Sequence, residues 1–196
     1  MSLKFAGSVS ELTLLAMTEI RGIQGVTAMM RTLAIALLLS GPLTGAAVAQ
    51  SLLPLALAAL PDETMALKVH AVGMQLYECK PGTDGKLAWT FTAPQATLTV
   101  DGKVVGHHGA GPSWELDDGS GITGKAVANA PGTNANDIPW LKLEVASHTG
   151  SSGKLSDVTT VQRINTIGGV LKDSCDRQGA GRGMPYAADY VFWKKS

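Results

Sequence analysis

The densest group of side chains able to do chemistry lies in residues 106–120, GHHGAGPSWELDDGS. The segment holds two histidines, one tryptophan, three carboxylates and two serines, of which Ser120 follows the carboxylates. His107 and His108 are adjacent, and adjacent side chains on a strand point to opposite faces, so we do not expect them to bind one metal ion together. We interpret the segment as a glycine-rich hairpin that carries surface polar residues.

The same segment also supports an enzymatic alternative, a hydrolase or metal-dependent enzyme centred on residues 108–120. If the chain folds back at residues 109–112, His108 and either Glu115 or Asp117 could form a mixed metal site. A triad of Ser120, His108 and a carboxylate is a second version, because triads assemble in space rather than in sequence. The chain has no HExxH motif and no GxSxG nucleophile elbow, so no established motif supports either version.

A second polar group lies in residues 162–169, QRINTIGG. Strand alternation would put Arg163 and Asn165 on one face, and Val161 and Ile167 would share that face. An arginine on a partly apolar face either pairs with a buried carboxylate or lines a polar pocket. The planar guanidinium of Arg163 suits a ligand carboxylate, so the pocket interpretation stays open beside the ion pair.

Aromatic side chains form the third group of candidate residues. Most aromatic residues of a small β domain belong to its core, but exposed rings can serve as stacking platforms for sugars. Trp114 follows Pro112 in a loop-like setting and is the best candidate for such a platform. We expect no cofactor and no bound metal, and the expected partner is a glycan or another small polar ligand. The residues expected to face it are His108, Trp114, Asp118, Arg163 and Asn165.

Strand-like patterns must position these groups, because they dominate the chain after residue 64. Residues 86–93 and 95–101 both alternate apolar and polar side chains, with Pro94 between them. Similar runs recur roughly every 10–15 residues and are separated by Gly, Pro, Asn or Asp. This spacing predicts one all-β domain over residues 65–196, built as an antiparallel sandwich or barrel.

Residues 29–49 have the order of a secretory signal peptide: a positive charge, a short apolar run and an Ala-Val-Ala cleavage site. Because such a signal belongs at the N-terminus, we expect residues 1–28 to be a mis-assigned start or an extended n-region. Residues 50–64 are predicted to be a linker or a short helix. The apolar run is shorter than the ~20 residues that span a bilayer, so we expect no stable membrane anchor. The predicted location is secreted or periplasmic.

The compartment determines how the two cysteines, Cys79 and Cys175, are interpreted. In an oxidising compartment a lone pair is most simply a disulfide. The alternative is a reactive thiol, but no context that would lower a thiol pKa surrounds either cysteine.

The charge balance bears on the class of partner. Residues 50–196 carry 13 Lys and Arg against 14 Asp and Glu, a net charge of −1. No basic surplus exists to neutralise phosphates, so nucleic acid is not expected as a partner. Export, balanced charge and the lack of an assembled catalytic motif favour a non-enzymatic extracytoplasmic binding or surface protein. Besides the enzymatic alternative, a structural envelope protein without a ligand site also stays open.

Several short motifs also occur in a characteristic order. They are QLYEC at 75–79, Trp89, residues 106–114, DGS at 118–120, IPWL at 138–141, VQRINT at 161–166, Gly168-Gly169, Cys175 and PYAADY at 185–190. This order resembles the domain of unknown function 3455 family of bacterial and fungal proteins, over about residues 65–194. The resemblance implies a secreted domain with the same cysteine pair, and it implies no activity. His108 is the matching histidine, and Lys142 departs from the pattern where an apolar residue is expected.

Overall fold

The computed structural model describes residues 53–196, so the predicted start region and signal peptide lie outside the described residues. Eight strands pair antiparallel, each with the next along the chain, and the last pairs with the first, which closes the sheet into a barrel. This confirms the all-β prediction, with the barrel as the observed form. The strands are β1 (Glu63–Pro81), β2 (Leu87–Val100), β3 (Lys103–Gly109), β4 (Ser113–Leu116), β5 (Gly121–Ala130), β6 (Trp140–Thr149), β7 (Val158–Gly168) and β8 (Gly181–Lys195). Within residues 53–196, no helix is long and apolar enough to cross a membrane.

The core occupies the barrel interior, because alternate side chains along each strand point inward. The interior is filled by aliphatic and aromatic side chains that are almost fully buried, among them Val69, Leu98, Trp114, Ile122, Leu143, Val161, Tyr190 and Phe192. An eight-stranded barrel is just wide enough for side chains to fill it or for one small ligand to occupy part of it.

β2 is one strand where the sequence indicated two segments divided by Pro94. The register with β1 shifts at Thr92, whose hydroxyl donates a hydrogen bond to the Leu76 carbonyl at 3.0 Å. A bulge of this kind changes the alternation by one residue. Phe91 and Pro94 therefore line the same cavity, Pro94 as a buried residue and Phe91 as one that is 47% exposed.

β7 contains a second irregularity, between Ile164 and Ile167 in its register with β8. Asn165 has φ of 51°, a left-handed conformation that asparagine tolerates better than most residues. Arg163 therefore faces the interior, whereas Asn165 is on the outer surface and Ile167 is 66% exposed. The predicted shared face of Arg163, Asn165 and Ile167 is wrong, because the bulge breaks the alternation on which it rested.

Cys79 and Cys175 form a disulfide with an S–S distance of 2.03 Å, which confirms the predicted pairing and replaces the reactive-thiol alternative. Cys79 is fully buried at the end of β1. Its backbone also pairs with the segment that carries Cys175: the Cys79 amide donates to the Ala180 carbonyl, and the Gly179 amide donates to the Cys79 carbonyl. The bridge thus holds residues 169–180 against β1.

A short 3-10 helix, Leu55–Leu57, packs on the outside of the barrel. Leu57 is fully buried against Trp140 and the end of β5. Gln162 donates from Nε2 to the Leu57 carbonyl at 2.6 Å, and Lys142 donates from Nζ to the Ala58 carbonyl at 2.8 Å. Lys142, the departure from the motif pattern, therefore binds the chain that precedes the barrel.

Candidate functional site

One end of the barrel interior contains a cavity of about 490 Å³. This volume lies in the range of pockets that hold small organic ligands. Apolar side chains make up most of its wall. The lining comprises Gln75, Tyr77, Phe91, Thr92, Pro94, His108, Gly111, Pro112, Ala126, Ile138, Pro139, Leu141, Leu143 and Arg163.

Arg163 is the charged residue of the lining, which includes no Asp, Glu or Lys. Its Nε and Nη2 both donate to the Pro139 carbonyl, at 3.0 and 2.8 Å. Within residues 53–196 it takes part in no salt bridge. The ion-pair alternative for Arg163 is therefore wrong for the described residues. The guanidinium also keeps N–H donors beyond those that bind the Pro139 carbonyl.

His108 supplies a neutral hydrogen-bond acceptor to the same cavity. It is 3% exposed, and its Nδ1 lies 2.7 Å from the Ser113 carbonyl. A carbonyl can only accept, so Nδ1 carries the proton and Nε2 keeps a free lone pair. Burial lowers the pKa of His108 to about 4, so the ring is uncharged at neutral pH.

Aromatic rings hold the imidazole of His108 in place. Trp114 stacks on it with ring centres 4.7 Å apart and planes 12° apart, and Tyr190 contacts it at 4.9 Å. Trp114 in turn packs edge-on against Phe192 at 6.0 Å. His108 is therefore part of a rigid aromatic cluster between the cavity and the core.

Buried polar atoms without protein partners adjoin this cluster. Gln75 Nε2 and the hydroxyls of Tyr186 and Tyr190 make no hydrogen bond of standard geometry within the described part of the chain. Tyr186 neighbours Gln75 and Tyr190, and Tyr190 neighbours Arg163. Burial raises the pKa of both tyrosines, so their hydroxyls stay protonated. Buried polar groups are normally paired, and of these three residues only Gln75 lines the cavity, so its Nε2 is a place where a polar ligand group could bind.

Sequence reasoning missed Gln75 as a candidate site residue. Its signal was positional, since Gln75 continues the inward series of Val69 and Ala71, where a polar side chain is unusual.

Trp114 does not serve as an exposed platform, because it is 1% exposed and belongs to the core. The chain turns back after Gly109, and Trp114 pairs directly with His108 across β3 and β4. Residues opposite each other in a sheet share a face, so both point inward. The expected platform is therefore wrong, although Trp114 supports the cavity through His108.

Asp118 lies in the exposed turn between β4 and β5 and does not line the cavity. Its carboxylate accepts hydrogen bonds from the Ser120 hydroxyl at 2.6 Å, the Ser120 amide at 2.9 Å and the Lys154 amide at 2.8 Å. These hydrogen bonds, led by that of the Ser120 hydroxyl, lower the pKa of Asp118. Asp118 therefore joins two turns.

Asp118→Ala is expected to lower the free energy of unfolding by about 1–2 kcal/mol, because three donors lose their acceptor. Urea unfolding followed by tryptophan fluorescence would measure the change. Asp117→Ala, beside it on the exposed turn, is the matched control and should change stability by less than about 0.5 kcal/mol. Equal effects of the two substitutions would contradict this role for Asp118.

Asn165 also lies away from the cavity. Its Nδ2 donates to Asp189 Oδ2 at 2.9 Å on the outer surface, where Asp189 also contacts Lys68 at 3.0 Å and His70 at 2.9 Å. Of the five residues predicted to face a ligand, the structure brings His108 and Arg163 together at one cavity and places the other three elsewhere.

The two versions of an enzymatic site do not assemble. Glu115 pairs with His107 at 3.2 Å on the outer face, opposite to His108, because side chains alternate along β3 and β4. The Ser120 hydroxyl donates to Asp118 and accepts from the Leu155 amide at 3.2 Å, so it does not meet His108. No group of three His, Cys, Asp or Glu side chains within residues 53–196 is arranged to hold a metal ion.

The fold and the cavity together define a disulfide-linked, eight-stranded antiparallel barrel with room for a small molecule. Residues 60–194 match the family described as Protein of unknown function (DUF3455), and the chain belongs to this family, as its motif order indicated. No curated protein and no solved structure gives a significant match to the chain.

Proposed function

We propose that this protein is an exported binding protein that holds a small organic molecule in the barrel cavity. The observation that carries the proposal is a cavity of about 490 Å³ whose lining includes two groups without partners among residues 53–196. Arg163 has no acidic partner there, and the buried Nε2 of Gln75 has no hydrogen bond of standard geometry. Burying polar groups without partners costs free energy. A bound ligand would supply those partners and offset that cost.

Two features support export. Residues 29–49 have the charge, apolar run and small-residue site of a secretory signal. Cys79 and Cys175 form a disulfide, a bond that persists in oxidising compartments.

The composition of the lining favours binding over catalysis. It includes no Ser, Cys, Asp or Glu to act as a nucleophile or acid, and the Thr92 hydroxyl already donates to the Leu76 carbonyl. His108 has a pKa of about 4, which makes it a weak base at neutral pH. The apolar wall also favours a ligand with a hydrocarbon body over a free sugar.

The proposal is tested with N-phenyl-1-naphthylamine, an uncharged dye whose fluorescence rises in apolar surroundings. We expect saturable binding of one dye per chain. Leu141→Trp should weaken it by about tenfold or more, because Leu141 lines the cavity and the larger ring would occupy it. Val127→Trp is the control: Val127 is exposed, is absent from the cavity lining and lies on β5 beside the lining residue Ala126.

Binding unchanged by Leu141→Trp would contradict the assigned cavity. The proposed function would be overturned if the wild-type protein showed no saturable binding of this dye, of benzoate, 2-naphthoate or decanoate, or of their primary amides.

A further inference from the structure

We infer that the ligand is an organic monocarboxylic acid with an apolar body, whose carboxylate binds Arg163 at the polar side of the cavity. The inference rests on the proposed function, because it specifies the ligand of the same cavity.

The charge of the cavity is the first argument. Arg163 carries a positive charge, and the lining includes no acidic side chain to balance it. A positive charge beside apolar walls is poorly screened, so it attracts an anion more strongly than a charge at an open surface does. A neutral ligand would leave this charge uncompensated.

The fixed position of the guanidinium is the second argument. Nε and Nη2 of Arg163 both bind the Pro139 carbonyl, which restrains the plane of the group. Two of its five N–H groups suffice for these bonds, so others remain for a ligand. A preorganised planar donor of this kind matches the planar geometry of a carboxylate.

The balance of donors and acceptors is the third argument. Gln75 lines the cavity and is 2% exposed, and its Nε2 makes no hydrogen bond of standard geometry within the described residues. Gln75 Nε2 and the remaining N–H groups of Arg163 offer donors to the cavity, whereas His108 offers one acceptor at Nε2. A carboxylate only accepts hydrogen bonds and has two oxygens to do so, so it satisfies such a surplus better than an alcohol or an amide.

The remaining wall defines the body of the ligand. Leu141, Leu143, Ile138 and Phe91 present hydrocarbon to the cavity. Burial of apolar surface there would contribute to affinity, and hydroxyl groups on the ligand body would lose their water without gaining partners. The body is therefore apolar.

Matched acids and amides test the inference, since each pair differs in charge but hardly in shape. Benzoate, 2-naphthoate and decanoate are compared with their primary amides at pH 7 by isothermal titration calorimetry. In at least one pair the acid should bind about 10- to 100-fold more tightly than the amide, the factor expected of a charge-assisted hydrogen bond.

Variants then assign that preference to one residue. Arg163→Gln should remove the difference between acid and amide, and Arg163→Lys should retain part of it. Arg182→Gln is the matched control, because Arg182 is paired with Asp173 at 3.0 Å and is absent from the cavity lining. It should bind acid and amide as the wild type does.

The two proposals fail in different ways. Equal binding of acid and amide by the wild-type protein would overturn the carboxylate and leave cavity binding intact. An acid preference that persists in Arg163→Gln would also overturn it. If Arg163→Gln does not fold, the test uses the ratio of acid affinity to amide affinity in the wild type and in Arg163→Lys. A ratio in Arg163→Lys equal to that of the wild type would contradict the role assigned to the planar guanidinium.

Discussion

Removing the disulfide by Cys79→Ala with Cys175→Ala is expected to lower the free energy of unfolding by about 4–5 kcal/mol. The bridge joins residues 96 positions apart, so its loss releases a long loop in the unfolded chain and increases the entropy of that state. Alanine is a better replacement than serine at Cys79, because this position is fully buried and a serine there would bury a hydroxyl. Urea unfolding of the variant and the oxidised wild type, in parallel, would measure the loss.

A chemical control separates the bridge from the side chains. The wild-type protein unfolded in the presence of a reductant should lose a similar amount of stability, because it loses the same constraint. A loss of stability below about 1 kcal/mol in both experiments would contradict the expectation that the bridge stabilises the protein by restricting the unfolded chain.

Acidification from pH 7.5 to 4.5 is expected to lower the free energy of unfolding by about 2–3 kcal/mol through His108 alone. Burial, with a smaller contribution from the charge of Arg163, lowers the pKa of His108 from 6.5 to about 4 in the folded protein. Between these two values the unfolded chain binds a proton that the folded protein does not. The stability from the neutral ring is therefore complete above pH 6.5 and is lost as the pH falls toward 4.

His108→Gln tests this origin, because it removes the titrating group and should flatten the stability profile between pH 7.5 and 4.5. His107→Gln, at the adjacent exposed position, should retain the wild-type slope. A slope that persists in His108→Gln would assign the acid sensitivity to other groups.

The carboxylates contribute in a different pH range. Hydrogen bonds, first from the Gly168 amide to Asp137 and from the Ser120 hydroxyl to Asp118, lower the pKa of these acids below 3.8. Burial opposes ionisation of Glu63, but its hydrogen bonds from Thr160 and neighbouring groups still lower its pKa below 4.5. The stability that these depressed pKa values contribute is lost mainly below about pH 4, which is below the pH range in which His108 lowers stability.

Alternation was enough to predict the strands but not every face. Residues 95–101 alternate without interruption, and Leu98 is buried as the pattern indicates. The change of face at Thr92 and the faces around Asn165 could not be predicted, because each bulge depends on how many residues the neighbouring strand places opposite it. That number is a property of the pairing, which a single strand's sequence does not contain.

The residues of the candidate site were likewise predicted only in part. Residue type alone indicated His108 and Arg163, since an imidazole and a guanidinium on apolar strands need a partner or a ligand. Residue type also indicated Asp118 and Trp114, which the structure uses in a turn and in the core. Gln75 was not indicated, because its amide becomes significant only in the cavity that it lines with His108 and Arg163.

The chain's periodicity, motif order and cysteine pair established an all-β family member with one bridge, because these properties depend on residues close in sequence or on the number of thiols. Closure of β8 on β1 depends on contacts between residues more than a hundred positions apart. That closure, with the two bulges that bring Phe91 to the cavity wall and turn Asn165 outward, placed Arg163, His108 and Gln75 around one cavity. Such contacts form only when the whole sheet selects its register, so the tertiary structure alone produced the site.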